Sequence, residues 1–368
     1  MKDVLLTVSG TIPSDIRQQV AEGKRPLPDY LHMADEFDAD LIDYPTARAR
    51  SGWFGRLLER LGGPNLLLAW VCYQQHHNYR VIFTDGEQVG IPLALLFTLL
   101  GAANRPSHQM IVHILSVGKK MKFFDWFGVQ KHIDIFYCYS TWQKQFIQQR
   151  WNVPPERVVW TPFMVDDQFF APHQISDVGE EIRALPKPYI CSVGLEFRDY
   201  PTLMEAVKGL DVHVVVAAGS PWSKREDSTQ QADIPANVTV RRFTQYELRQ
   251  IYADAAFVVM PLYDVDFQAG VTAILEGMAL GKAIVCSRTP GQTDVIVEGE
   301  HGLYATPEDP ADLRRAIVQL LDHPAEAARM GRNGRSRIEN EMSLHHYVRR
   351  LKQYVDPETE MIGELVIE

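Results

Sequence analysis

Short apolar runs alternate with helical patterns along almost the whole of this 368-residue chain. VLLTVSG (Val4–Gly10) reads as a first strand closing on a glycine. YRVIFTDG (Tyr79–Gly86) is another, followed by the helical run IPLALLFTLLG, and QMIVHIL and DIFYCYS are further strands. The helix TWQKQFIQQRW and the strand RVVWTPF follow. Strand–helix alternation of this kind implies parallel sheets with helices on both faces, because a parallel strand pair needs a crossover and the crossover helix covers the sheet.

The pattern breaks once. Met164–Pro188 (MVDDQFFAPHQISDVGEEIRALPKP) has no strong periodicity and holds three prolines, so it reads as a linker. The alternation then restarts with YICSVG, TLMEAVKGL, VHVVVAAG, VTVRRF, QYELRQIYADA and FVVMPL, and runs through GLYATP and PADLRRAIVQLLDHPA to a basic terminal helix. The length also suits two domains better than one core. The expected class is α/β, with two Rossmann-like doubly wound domains, 1–165 and 166–344, facing a cleft. The segment 345–368 is expected to pack back on the first. In such sheets ligands sit at the carboxyl ends of the strands, and with two domains the natural site is the cleft between them.

Composition excludes several classes. A formal net charge of −10 argues against nucleic acid as the main partner. The excess is local: residues 1–170 hold 17 basic and 17 acidic side chains, so 20 of the 37 basic and 30 of the 47 acidic residues lie in 171–368. The first half approaches an anionic surface more easily than the second. Cys72, Cys138, Cys191 and Cys286 are scattered, which suits a reducing compartment and offers no metal cluster. The start, MKDVLLTVSG, is too short an apolar run for a signal peptide, and Ile91–Ala103 is too short to span a bilayer. A cytoplasmic protein, peripheral at most to the inner membrane face, is expected. No G-x-G-x-x-G follows a strand and no G-x-x-x-x-G-K-[ST] occurs, which disfavours a dinucleotide oxidoreductase and a P-loop kinase.

Three stretches, in order, carry a resemblance. DIFYCYSTWQKQFIQQRWNVPPERVVWTPFMVDDQFFAP resembles the passage from the first to the second domain of retaining glycosyltransferases of the GT-B type, family 4. YICSVGLEFRDYPTLMEAV resembles the opening of that family's nucleotide domain. FVVMPLYDVDFQAGVTAILEGMALGKAIVCSRTPGQTDVIVEGEHGLYATPEDPADLRRAI resembles its donor-binding core. The resemblance spans most of the chain and implies an acceptor-binding first domain and a second domain that binds a nucleotide-sugar donor as co-substrate, with no other cofactor and no metal.

It also implies site residues. The family's usual pair is two glutamates separated by seven residues. Here the second is Glu276, the typical ribose ligand, while Gln268 stands in the first position, which typically contacts the donor sugar. An amide keeps the hydrogen bonding but brings no negative charge beside a developing oxocarbenium. Of two basic residues usual in the loop after Gly194, the earlier position is Leu195 and the later matches Arg198, which would neutralise the diphosphate. Arg288, Lys119 and Lys120 are candidates to supply the missing charge. His113 corresponds to a histidine that contacts the reacting sugar, and Gly10 and Thr11 to a loop near the diphosphate and acceptor.

Each residue also has a plainer reading. A turn at Ala269-Gly270 exposes the amides of Val271 and Thr272 at a helix start, a natural diphosphate site; simple helix capping is the alternative. Glu276 sits one turn in, with Ile274, Leu275, Met278 and Ala279 as the expected buried stripe; the alternative is a solvent-facing glutamate. Gln268 read plainly is a loop residue, Arg198 a surface arginine in a salt bridge, His113 a structural histidine ending a strand, and Gly10-Thr11 an ordinary turn ending the first strand. Asp264–Asp266 (DVD) imitates the metal-binding D-x-D of the other major glycosyltransferase fold, but it precedes the Gly270 turn inside the donor core. RARSGWFGRLLERL and KKMKFFDWFGVQKH mix cationic and aromatic residues, which suits either a membrane interface or an amphipathic helix packed on its own domain.

The reading is therefore sugar transfer from a nucleotide-activated donor to an unidentified acceptor, with retention. The alternatives are a sugar-nucleotide binding protein without turnover, which the loss of one carboxylate and one cation would suit, and a nucleotide-sugar epimerase on the same fold.

Overall fold

The structure is a computed structural model that describes residues 2–101, 104–114, 121–172, 179–218 and 234–356. The chain divides into two compact units, Met1–Arg17 with Pro28–Thr161 and Tyr347–Glu368, and Gln18–Leu27 with Pro162–His346. The first boundary thus falls at 161/162 rather than 165/166. The Gln18–Leu27 excursion, which the sequence does not announce, is tied into the second unit where the Leu27 amide donates to Asp166 Oδ2 at 2.7 Å.

The first unit runs β1 (Val4–Thr7), α1 (Ile16–Ala21, of which only the first two residues belong here), α2 (Asp29–Glu36), β2 (Ala39–Ile42), α3 (Tyr44–Arg50), α4 (Gly52–Gln75), β3 (Val81–Thr84), α5 (Glu87–Leu100), β4 (Ser107–Val112), α6 (Lys122–Phe127), β5 (Ile135–Cys138), α7 (Thr141–Trp151) and β6 (Val158–Trp160). Its six strands are parallel, in the order β2-β1-β3-β4-β5-β6. Every residue of β1 and β3 is buried, as expected of strands covered on both faces.

The second unit runs α8 (Glu180–Arg183), β7 (Tyr189–Val193), α9 (Tyr200–Val207), β8 (His213–Ala217), β9 (Val238–Arg241), α10 (Gln245–Asp254), β10 (Val258–Met260), α11 (Val271–Ala279), β11 (Ile284–Ser287), β12 (Gly302–Ala305), α12 (Pro310–Asp322) and α13 (Pro324–Arg337). Its strands are also parallel, in the order β12-β11-β10-β7-β8-β9. A core of Ile190, Val214, Val216, Val259 and Val285 from the strands packs against Leu203, Leu313 and Ile317 from the helices. The last helix, α14 (Leu344–Val355), passes into the first unit at Tyr347, where Arg350 bonds Thr161 and Gln109 bonds the Tyr354 carbonyl.

Each sheet reverses its strand order once. Chain order steps one way from β1 to β2 and the other way to β3; likewise it runs β7 to β8 to β9 and then returns to β10 on the far side of β7. At such a reversal two neighbouring crossovers leave on opposite faces of the sheet, and a crevice opens beyond the carboxyl ends of the two strands. The residues that matter are those following β1 and β3, and those following β7 and β10.

Candidate functional site

In the second unit the loop after β7 is shaped by Gly194, at φ +109°, and Phe197, at φ +57°. It turns Arg198 inward. The side chain is 6% exposed, so the surface salt bridge is not what forms. Nε donates to the Val193 carbonyl at 3.0 Å and Nη1 to that of Glu196 at 2.7 Å. The guanidinium lies where a Cβ on Gly194 would be, and 3.0 Å from where a Cβ on Gly270 would be. Both glycines hold left-handed backbone angles that favour glycine, and their missing side chains leave the guanidinium its place.

Gly270, at φ +76°, is the N-cap of α11. No side chain caps this helix, so the amides of Val271 and Thr272 are among its free first-turn donors. Thr272 is exposed; Val271 is buried. The helix is buried all round rather than along one stripe, because it lies against its sheet, α10 and α13. Glu276 consequently does not face solvent. It is 9% exposed and accepts a hydrogen bond from Tyr252 Oη, on α10, at 2.8 Å through Oε2. Burial pushes its pKa up to about 7, against the opposing pull of Tyr252 and of the Arg198 charge. The Tyr252 hydroxyl is raised well above its ordinary value, by burial first and then by the Glu276 charge. Burial also lowers the pKa of Arg198.

Gln268 is half-buried in the loop before α11. That loop is held by Gln292, whose Nε2 donates to the Ala269 carbonyl at 2.5 Å, and by Gly291, whose backbone abuts Phe267 and Gln268 so closely that no side chain fits. Phe267 meets Phe197 edge-on at 4.9 Å, which joins the two loops of the reversal. Leu195 is partly buried against the core, so the earlier loop position carries an apolar side chain instead of a second cation. Arg288 is ion-paired to Glu298 and lies 4.3 Å from the Tyr304 ring, in a polar hollow of about 460 Å³ beside β12, so its charge is already balanced there. Lys119 and Lys120 lie outside the described residues.

In the first unit the reversal gathers a different set. β1 stops at Thr7, because after Val8 bonds Ile42 the Gly10 amide turns back to the Val8 carbonyl at 2.8 Å. Gly10 and exposed Thr11 therefore lie beyond the strand, in a loop pinned to the start of α3 by Tyr44 N–H to Gly10 O at 3.0 Å and Ile12 N–H to Asp43 at 3.0 Å. His113 likewise falls one residue past β4. Its amide donates to the Glu87 carboxylate at 3.0 Å instead of to a neighbouring strand, and the next amide, of Ile114, does the same. Its Nε2 lies 2.9 Å from the Asp85 carbonyl, so that nitrogen carries a proton and donates to it.

Between them stands Asp85, which motif reading missed. Its carboxylate accepts from Thr7 Oγ1 at 2.6 Å, Ser9 N–H at 2.5 Å and Ser9 Oγ at 2.9 Å. Burial raises its pKa, and these bonds and the charge of His113 work the other way. Half-buried Asp29 is also raised, by burial first, and the Asp85 charge adds to the shift. The signal for Asp85 was legible in FTDG, a carboxylate at a strand end before a glycine. Tyr252 had none, since it approaches Glu276 from 24 residues away. Among the described residues no three His, Cys, Asp or Glu side chains converge to hold a metal, the DVD aspartates included.

The family match falls in the second unit. Residues 193–323 match the family described as glycosyl transferases group 1. Over 192 residues the chain is 30% identical to the MMP alpha-(1->4)-mannosyltransferase of Mycolicibacterium hassiacum, covering 50% of this chain and 44% of that one. Over 136 residues it is 28% identical to a D-rhamnosyltransferase of Pseudomonas aeruginosa, covering 37% and 36%. A further match, 25% identical over 134 residues, is an uncharacterized glycosyltransferase of Methanocaldococcus jannaschii, of which it covers 37%. The chain thus spans less than half of these relatives' lengths. The two-unit α/β fold is the GT-B fold and is shared over nearly the full chain with a sucrose-phosphate synthase of Thermosynechococcus elongatus (TM-score 0.71, 16% identity, 98% and 100% covered). It is shared too with Anabaena HepE in complex with UDP and glucose (TM-score 0.70, 12% identity, 96% and 99% covered).

Proposed function

We propose that the chain transfers a sugar from a nucleotide-activated donor to an acceptor, with retention at the anomeric carbon and no metal ion. The carrying observation is the pairing, around Gly270, of the buried carboxylate of Glu276 with the buried cation of Arg198 at the open start of α11. That combination suits a nucleoside diphosphate. The helix-start amides and the Arg198 charge attract the diphosphate, and a carboxylate six residues into the helix accepts ribose hydroxyls. The sugar-transferring relatives and the UDP bound to HepE support the reading.

In this scheme the donor leaves and the acceptor attacks on the same face. The departing diphosphate oxygen takes the acceptor proton, with no covalent intermediate on the protein. Arg198 and the helix start stabilise the negative charge that grows on the leaving group. Gln268 faces the sugar with an amide. The first unit supplies the acceptor side, with Asp85, His113 and the Gly10-Thr11 loop at its strand reversal. The reaction belongs in a reducing, cytoplasmic setting, which suits four buried cysteines with no bridge among them.

A second reading is donor binding without turnover, favoured by Leu195, which packs into the core where a cation would help. Calorimetry against a panel of nucleoside diphosphates and their sugars tests the donor site. Glu276→Ala should weaken the preferred diphosphate by about 1.5–3 kcal/mol, the worth of a charge-assisted hydrogen bond. Unchanged affinity would remove Glu276 from the site. Donor hydrolysis and transfer, followed with and without a chelator, then separate a metal-free transferase from a binding protein.

A further inference from the structure

The helix α4 is a hairpin. Gly63, at φ +80° and ψ 179°, breaks it before Pro64, and the arm of residues 52–62 folds back on the arm of residues 64–75. The contact side of the first arm is marked by buried Gly55, where a Cβ would sit 3.0 Å from Leu67 Cδ1, and by Phe54 edge-on to Trp70 at 5.0 Å. The opposite side is apolar and bare: Trp53 is 74% exposed and Leu61 76%, with Leu57 exposed between them. At 100° per residue Trp53, Leu57 and Leu61 form one stripe, and Arg56 and Arg60 flank it, all within roughly half the helix circumference. The arm does pack on its own unit through Gly55 and Phe54, but that packing leaves the Trp53–Leu57–Leu61 stripe uncovered.

The apolar surface continues. Trp70 stacks on Tyr73 at 5.9 Å, and Tyr73 donates to the Gly101 carbonyl at 2.8 Å. That bond brings the end of α5, with exposed Leu99 and Leu100, beside the hairpin. Charge identifies the occupant. Residues 44–63 carry Arg48, Arg50, Arg56 and Arg60 against a single acid, Glu59, in a chain whose net charge is −10.

We propose that this face of α4 docks on the surface of an anionic lipid bilayer. Trp53, Leu57 and Leu61 enter the headgroup–acyl boundary, and Arg56 and Arg60 meet lipid phosphates. A second copy of the chain is the poorer occupant. A two-fold contact would set Arg56 and Arg60 against their own copies and bury like charges. Attachment here is peripheral, since no helix among the described residues is long and apolar enough to cross a membrane.

Vesicle flotation of the full chain tests this, with phosphatidylcholine alone and with phosphatidylcholine and phosphatidylglycerol in equal parts. Binding should require phosphatidylglycerol and fall as salt is raised. Arg56→Gln with Arg60→Gln should weaken partition on the order of 30-fold. Leu57→Asp with Leu61→Asp should weaken it at least about ten-fold. Val297→Asp, at an exposed apolar site of the second unit, should leave it unchanged. All replaced side chains are exposed, and unchanged circular dichroism melts would show that the fold stands. No binding to either vesicle, equal binding to both, or binding indifferent to the face variants would overturn the proposal. So would a concentration-dependent dimer in sedimentation velocity that the same variants dissolve.

Discussion

The two units share an architecture and differ at its most informative point. Both are six-stranded parallel sheets whose strand order reverses once. In the second unit that reversal holds a buried arginine, two glycines that let it in, an uncapped helix start and one carboxylate on the inner helix. In the first it holds carboxylates: Asp85 receives three hydrogen bonds, Glu87 two backbone amides, and Asp29 stands close enough for Asp85 to raise its pKa. The fold supplies the crevice, and a few side chains decide its sign. One reversal presents a cation and free helix-start amides, as the proposed diphosphate site requires. The other holds acceptor groups that engage hydroxyls and amides.

The sharpest way to break this contrast is to remove the cation. Arg198→Ala strips the donors from two backbone carbonyls and leaves buried Glu276 without its nearby positive charge. Stability should fall by roughly 3–5 kcal/mol in denaturant titration, with diphosphate binding lost in calorimetry. A variant as stable as the parent would show that the second reversal is not organised around this side chain.

Next comes the acid opposite it. Because burial holds the Glu276 pKa near 7, above its ordinary 4.5, the folded chain binds that proton more tightly than the unfolded one. This contribution to stability is present below pH 4.5 and is lost as pH rises through 7. It amounts to roughly 3 kcal/mol at most. Melts of Glu276→Gln across that range should lack the slope that the parent shows. Parallel profiles would mean that Glu276 titrates normally.

The first unit gives a smaller effect. Asp85→Asn puts a donor where Ser9 N–H and Thr7 Oγ1 already donate, at a cost of about 1.5–2 kcal/mol in stability. Transfer should drop while diphosphate affinity stays at the parental value. A parallel fall in affinity would dissolve the contrast between the two reversals. The smallest change is Gln268→Glu. Like charges in a poorly solvated site repel by about 1 kcal/mol or more, so the kcat/KM ratio of neutral to acidic sugar donors should rise several-fold. Identical donor profiles would show that Gln268 does not face the sugar.

Legibility followed locality. Eleven strands announce themselves as apolar runs, but β2, reading ADLI, is flanked by acids and short enough to pass as loop. The N-terminal helices are hidden for the same reason, and the hairpin in α4 appears only as a mixed cationic and aromatic stretch. Gly194, Arg198, Gly270 and Glu276 were legible because the glycine turns and the lone acid in an apolar helix are local patterns. His113 was placed at a strand end, yet Glu87 takes its amide and removes it from the ladder.

What the sequence determined by itself was the kind of fold and where in the chain the glycine turn and uncapped helix start lie, since strand–helix alternation and a glycine before an apolar helix are set by neighbours in the chain. What tertiary structure alone decided was the state of the groups at that turn. Arg198 is buried because Gly194 and Gly270 converge from 76 residues apart. Glu276 is raised toward neutrality because α11 is enclosed on every side and Tyr252 reaches it from another helix. Burial and long-range hydrogen bonds are properties of the assembled layers, and no window along the chain contains them.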